Sequence, residues 1–357
     1  MRQMALVGFL QAQNCSNYSF SWRHPDSRTD FTSPEFYAHI ARVLEEGKFQ
    51  MAFFDDRLGM PEYHGGDYGD AIENGIRCVK MDPMACLMPM AMATERLGLG
   101  ATMSTTYYEP FHVARAFQTF DLMTKGRGAW NIVTSLNDIE AANMGRDGSI
   151  DHDLRYDRAD EFVEVVLGHW DTWADDALIV DKESRRFADA SKVKRLDHKG
   201  QYFKSRGPFT VPRSPQGHPV LIQAGQSGRG KRFGATWGEA IFVVYPNLEV
   251  GRKNYAELKA ECAALGRNPD QMKICHLINP IVAETRAEAE DKRAFTETLP
   301  IEADSLMLLS EALNFDFGSK PLDEPFTAEE LESMTGLQAM RDRVTEVKGP
   351  NPTIRDF

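Results

Sequence analysis

Apolar and polar positions along the chain follow two periods in turn. Residues 33–49, SPEFYAHIARVLEEGKF, place Phe36, Tyr37, Ile40, Val43 and Leu44 at helical spacing. Ser33 ahead of Pro34 marks where this helix starts, and Gly47 marks where it stops. MAFFD at 51–55 is short and continuously apolar, which predicts a strand buried on both faces. The alternation then repeats, with helices over 83–96, 110–124, 153–173, 227–237, 249–265 and 284–299. Between them the strands are 97–105, 128–134, 219–225, 239–245 and 273–283. With MRQMALVGFL at 1–10 as the first, this makes seven strands.

Strand–helix units of this kind specify a parallel sheet with right-handed crossovers. The strand count favours an α/β fold of the (β/α)8 TIM-barrel type, one domain over 1–357. Three segments break the pattern, at 57–82, 174–218 and 303–350, and predict insertions. Long insertions in a compact domain serve as lids, binding loops or subunit contacts more often than as spacers. No eighth strand is identifiable after residue 300, so the barrel is expected to lack its C-terminal strand and helix.

Composition narrows the function. A net charge of −12 argues against a broad phosphate-binding surface, so a nucleic-acid role is excluded in favour of a small molecule. The apolar run at the start is far shorter than a membrane span and precedes no small-residue cleavage site, which predicts a cytoplasmic protein without a membrane anchor. Cys15, Cys78, Cys86, Cys262 and Cys275 form no Cys-x-x-Cys pair and read as reduced thiols buried as small apolar groups. No metal set emerges, no Gly-x-Ser-x-Gly elbow offers a nucleophile, and no Gly-x-Gly-x-x-Gly follows the first strand.

In such a barrel, chemistry collects at the C-terminal ends of the strands. There the apolar runs turn polar: Asp56 after the second strand, Thr102 and Thr105 in the third, Asn131, Thr134 and Ser135 in the fourth, Gln223 and Ser227 after the fifth. LIQAGQSGRGKRF at 221–233 runs through Ser227, Gly228 and Gly230 into a helix. It reads equally as a phosphate cradle at a helix N-terminus and as a tight turn capped by Ser227. His152 and Tyr156, four apart, share one face of a helix start. They are either donors to an anionic or heteroaromatic ligand, or a capping His and a half-buried Tyr. His24 after the first strand is a candidate acid or base at the mouth, or a solvated loop residue. Phe9, Phe54 and Phe242 at strand ends offer dry pocket walls or ordinary barrel core. The Met-rich stretch 79–98 reads as helix packing.

Six ordered motifs, SWRHPD, LEEGKFQMAFFDD, LGLGATMSTTYYEPFHVAR, GRGAWNIVTSLNDIEAANMG, HDLRYDRADEF and QAGQSGRG, carry a resemblance over nearly the whole chain. The chain resembles the nitrilotriacetate monooxygenase, pristinamycin synthase and dibenzothiophene sulfone monooxygenase group of the bacterial luciferase-like flavin monooxygenases. RYDRADEF and VPRSPQG point within it to the dibenzothiophene sulfone enzymes. The resemblance implies a TIM barrel using reduced FMN and dioxygen, with a separate NAD(P)H:FMN reductase supplying the flavin, and a homodimer or homotetramer. Carried over, its FMN positions fall on Asp56, Thr102, His152, Tyr156 and Ser227, joined by Asn131 and Gly228; no catalytic acid or base is assigned. The family continues past TIRDF into a last strand and helix.

The expected activity is cleavage of a C–S, C–N or carbon–halogen bond in a small organic substrate, with an aromatic sulfone first. The alternatives are an aminopolycarboxylate monooxygenase, for which Arg23, His24 and Arg57 would hold carboxylates, and a flavin-binding or oligomer-forming protein without turnover.

Overall fold

A computed structural model describes residues 4–62, 64–225 and 228–357. The first half alternates as the sequence predicts. Strands β1 (Val7–Leu10), β2 (Met51–Phe54), β3 (Gly98–Ser104) and β4 (Gly128–Val133) are separated by α1 (Pro34–Glu46), α2 (Gly69–Glu73), α3 (Pro83–Ala93) and α4 (Pro110–Met123). After β4 come a short α5 (Asp138–Asn143), which no period in the sequence marks, and the long α6 (His152–Trp170). Ser33 caps α1 by accepting from Phe36 N–H at 3.2 Å, with Pro34 at the first helical position.

The 174–218 insertion forms two antiparallel hairpins, β5 (Leu178–Asp181) with β6 (Arg186–Ala188) and β7 (His198–Lys199) with β8 (Lys204–Ser205). It packs Phe203 and Phe209 against α4 and α6, where Phe209 meets Phe111 at 5.6 Å and Phe203 meets Phe162 at 5.5 Å. Through these contacts the segment clads the outer helices. Strands β9 (Val220–Gln223), β10 (Ala240–Val243) and β11 (Lys273–His276) complete the sheet, with α7 (Gly228–Trp237), α8 (Leu248–Ala264) and α9 (Arg286–Thr296) following each in turn.

Seven parallel strands pair in the order β1-β2-β3-β4-β9-β10-β11. The sheet curls into a nearly closed barrel, because Phe9 on β1 and Phe242 on β10 meet at 5.1 Å across the interior. Among the described residues no strand joins β11 to β1.

Alternation divides each strand between two cores. Phe53, Ala129, Ile222 and Ala240 fill the inside with Phe9 and Phe242. Ala52, Phe54, Leu99, Trp130 and Leu221 face out to the helices. The 303–350 insertion is largely helical. It forms α10 (Glu302–Leu313), α11 (Ala328–Ser333) and α12 (Gln338–Lys348), and α10 and α11 contribute to a separate core of Leu313, Phe317, Phe326, Leu331 and Met334, closed by Ile354 and Phe357.

Candidate active site

The barrel interior is aromatic. Phe9, Phe53 and Phe242 contact one another with centroids 5.1–5.9 Å apart. On the same inner face, Thr102 of β3 stands in register with Asn131 of β4. Asn131 Nδ2 donates to Thr102 Oγ1 at 2.7 Å, and Thr102 Oγ1 donates to the Phe54 carbonyl at 2.8 Å. Both residues are buried, and Asn131 Oδ1 has no hydrogen-bond partner among the described residues. A buried amide oxygen left unpaired costs about 1–3 kcal/mol, so this oxygen awaits a donor.

The polar strand ends beside it are knitted together. Thr106 Oγ1 donates to the Thr134 carbonyl at 2.6 Å, Thr105 Oγ1 to that of Val133 at 3.3 Å, and Ser135 Oγ to Ser104 Oγ at 2.9 Å. Gln223 departs from this group. Its side chain lies against Gly234 of α7, outside the barrel.

A second cluster forms where α6 begins. His152 and Tyr156 pack ring to ring at 5.1 Å, and Tyr156 rests on Phe233 of α7 at 5.5 Å. A Cβ on Gly225, in the β9–α7 turn, would lie 2.7 Å from Tyr156 Oη and 2.9 Å from Gly230 Cα, so the turn presses on Tyr156 and only glycine fits. Gly228 opens α7 into free space, with no atom within 4 Å of where its Cβ would stand. Ser227 lies outside the described residues.

Asp56 sits in a cavity of about 330 Å³ walled by Cys78, Lys80, Asp82, Tyr108 and Asn143. Burial pushes its carboxyl up to about 7; the Arg57 N–H and Lys80 pull the other way, and Asp55 and Asp82 add to the rise. Neither Thr102 and Asn131 nor His152 and Tyr156 line this cavity. Asp56 joins the first pair through the chain, two residues after the Phe54 carbonyl that Thr102 holds.

Ionic contacts brace the rim. Arg57 Nη1 donates to Glu311 Oε1 of α10 at 2.6 Å, Arg77 lies 3.6 Å from the same carboxylate, and Lys80 pairs with Asp55. Leu58 N–H donates to Glu140 Oε1 at 3.0 Å. Arg23 is bound to Asp304 at 2.6 Å. Arg23 and Arg57, two of the three residues expected to hold substrate carboxylates, are thus paired within the chain.

Two expected pocket residues stand elsewhere. Phe54 faces outward against Tyr37 of α1 at 5.8 Å, and its neighbour Phe53 takes the inner position. His24 packs edge-on against Phe295 of α9 at 5.4 Å and accepts from Asp26 N–H at 3.1 Å. Tyr108, Glu140 and Glu311 at the rim carried no sequence signal, because each lies far along the chain from what it meets.

Residues 17–350 match the model of the luciferase-like monooxygenases. The chain belongs to that family. It is accordingly an enzyme of the monooxygenase class, in a family whose members depend on flavin. It is 46% identical to the dibenzothiophene-sulfone monooxygenase of Rhodococcus erythropolis over 329 residues, 91% of this chain and 72% of that protein. With nitrilotriacetate monooxygenase component A of Aminobacter aminovorans it shares 36% identity over 364 residues, all of this chain and 79% of that one. The crystal structure of a riboflavin lyase with modified FMN and riboflavin superimposes with a TM-score of 0.88 at 30% identity, covering 99% of this chain and 78% of that chain. No helix among the described residues is long and apolar enough to cross a membrane.

Proposed function

We propose that the chain is the oxygenase of a two-component system, which takes reduced FMN from a separate NAD(P)H:FMN reductase and oxygenates a small organic substrate, an aromatic sulfone first. The observation that carries this reading is Asn131 Oδ1, a buried acceptor without a partner on the inner face of β4. A flavin ring presents N–H donors, and the aromatic interior formed by Phe9, Phe53 and Phe242 suits a flat apolar partner. Bound reduced flavin supplies the reaction with dioxygen.

The chain's own residues bind and shield. Thr102 orients Asn131, Tyr156 stands against Gly225 of the β9–α7 turn with His152 stacked on it, Gly228 and Ser227 are assigned to the phosphate, and Asp56 offers a carboxyl at the neighbouring cavity. The phenyl rings keep water from the reacting face. The sulfone assignment is supported by the 46% identity above and by the pairing of Arg23 and Arg57, which leaves neither for an aminopolycarboxylate. That the 36% relative is component A of nitrilotriacetate monooxygenase supports a partner protein. A homodimer or homotetramer and a single domain over 1–357 belong to the same proposal.

The test is rapid mixing. Protein carrying anaerobically reduced FMN is mixed with oxygenated buffer while flavin absorbance is followed. Reoxidation slower than that of free reduced FMN, with a rate that responds to aryl sulfones, is the expected result. Reoxidation at the free rate refutes a shielding site. Gly225→Ala gives a second check. Its methyl meets Gln223 Nε2, Tyr156 Oη and Gly230 Cα together, so the turn and Tyr156 must shift and FMN affinity is expected to fall by about tenfold or more in a fluorescence titration.

A further inference from the structure

The chain turns polar just past β1. Phe9 points inward onto Phe53 and Phe242, whereas Leu10 and Ala12 pack outward in the core beneath the helices. Alternation therefore aims Gln11, between those two, into the barrel mouth one step beyond Phe9. Gln11 is 9% exposed.

Its amide has one orientation. Lys80 Nζ donates to Gln11 Oε1 at 2.9 Å, and an ammonium has only protons to offer, so the oxygen faces Lys80 and the amino group faces away. Lys80 is held in turn by Asp55 and by the antiparallel bridge that sets it opposite Gln13. Gln11 Nε2 has no hydrogen-bond partner among the described residues. A buried donor without an acceptor is costly, and the phenyl rings beneath it supply none. Lys80 adds to the demand, because a cation on the carbonyl end of the amide draws electrons from its nitrogen and makes the N–H a stronger donor.

Asn131 presents the opposite polarity from β4, three strands away from β1 in the sheet order. A flavin N–H suits that acceptor, and the donor of Gln11 calls for an oxygen on a second ligand. An aryl sulfone carries two strongly polarised oxygens on an apolar body, whereas the sulfide of the same outline carries none. We propose that Gln11 is a specificity-determining residue, its Nε2 donating to a sulfonyl oxygen of the substrate while Lys80 holds the amide in that direction. This rests on the aryl-sulfone reading above and adds to it the residue that tells a sulfone from a sulfide.

The test measures diphenyl sulfone and diphenyl sulfide binding to the FMN-loaded protein, by flavin fluorescence and calorimetry, in wild type, Gln11→Glu and Gln11→Met. FMN affinity is measured alongside. Wild type is expected to favour the sulfone by about tenfold or more. Gln11→Glu keeps an oxygen for Lys80 and removes the donor, so it should lose that preference with the sulfide and FMN unchanged within about twofold. Gln11→Met removes the amide at similar size and without charge; it should show the same loss and covers the case in which the Glu variant fails to fold. A preference kept in both variants, equal weakening of both ligands, or a matching loss of FMN affinity overturns the proposal and leaves the sulfone reading standing. So does a wild type that binds both ligands equally. A wild type that binds FMN but neither ligand overturns the sulfone reading as well.

Discussion

Trp130→Ala is expected to lower the unfolding free energy by about 3–5 kcal/mol, read from urea denaturation with the slope unchanged. The indole is fully buried on the outer face of β4. It sits among Phe117, Phe162 and Trp170 at 5.8, 6.0 and 6.5 Å, and its Nε1 donates to the Met103 carbonyl at 3.1 Å. It therefore joins β4, α4 and α6, the elements that carry Asn131 and His152. Truncation leaves a cavity and removes one of the Met103 carbonyl's partners, and the cavity cannot close without moving a helix. Because Trp130 and Asn131 point to opposite faces, the loss should appear in stability before it appears in flavin affinity. A loss below about 1 kcal/mol would mean that the helices close over the gap.

That pair also shows what could be read from the sequence. In GAWNIV a polar residue interrupts a strand otherwise apolar, and one interruption is enough to mark Asn131 as inward and ligand-directed. Thr102 stands out for the same reason. MAFF carries no interruption, so nothing in it distinguishes Phe53 from Phe54, and the choice between inside and outside was set by register against β1 and β3. The hairpins of 174–218 were illegible because their strands are two to four residues long and expose most of both faces. Glu311 meets Arg57 across 254 residues, a pairing that only the fold decides.

Asp56 and His169 should pull stability in opposite directions across the same pH range. The unfolded chain gives up the Asp56 proton above about pH 4, whereas the folded carboxyl keeps it to about pH 7. From that group alone stability is highest in acid and falls as pH rises through 7, by roughly 4 kcal/mol in all. His169 does the reverse. It is buried between Phe111 and Phe209, with Nε2 on Ser205 Oγ at 2.7 Å, and burial holds its pKa down at about 4. Its contribution is present above about pH 6.5 and is lost as pH falls through 4, roughly 3 kcal/mol. Between about pH 4 and 6.5 the two slopes oppose and largely cancel. Asp56→Asn should uncover the histidine, giving flavin-free protein whose stability rises with pH across that window and exceeds wild type at pH 8. His169→Gln should uncover the carboxyl and give the opposite slope. Denaturant melts of the three proteins from pH 4 to 8 decide the matter. Parallel curves for wild type and Asp56→Asn would mean that Asp56 ionises in the folded chain as it does in water, and that its cavity is wetter than its walls imply.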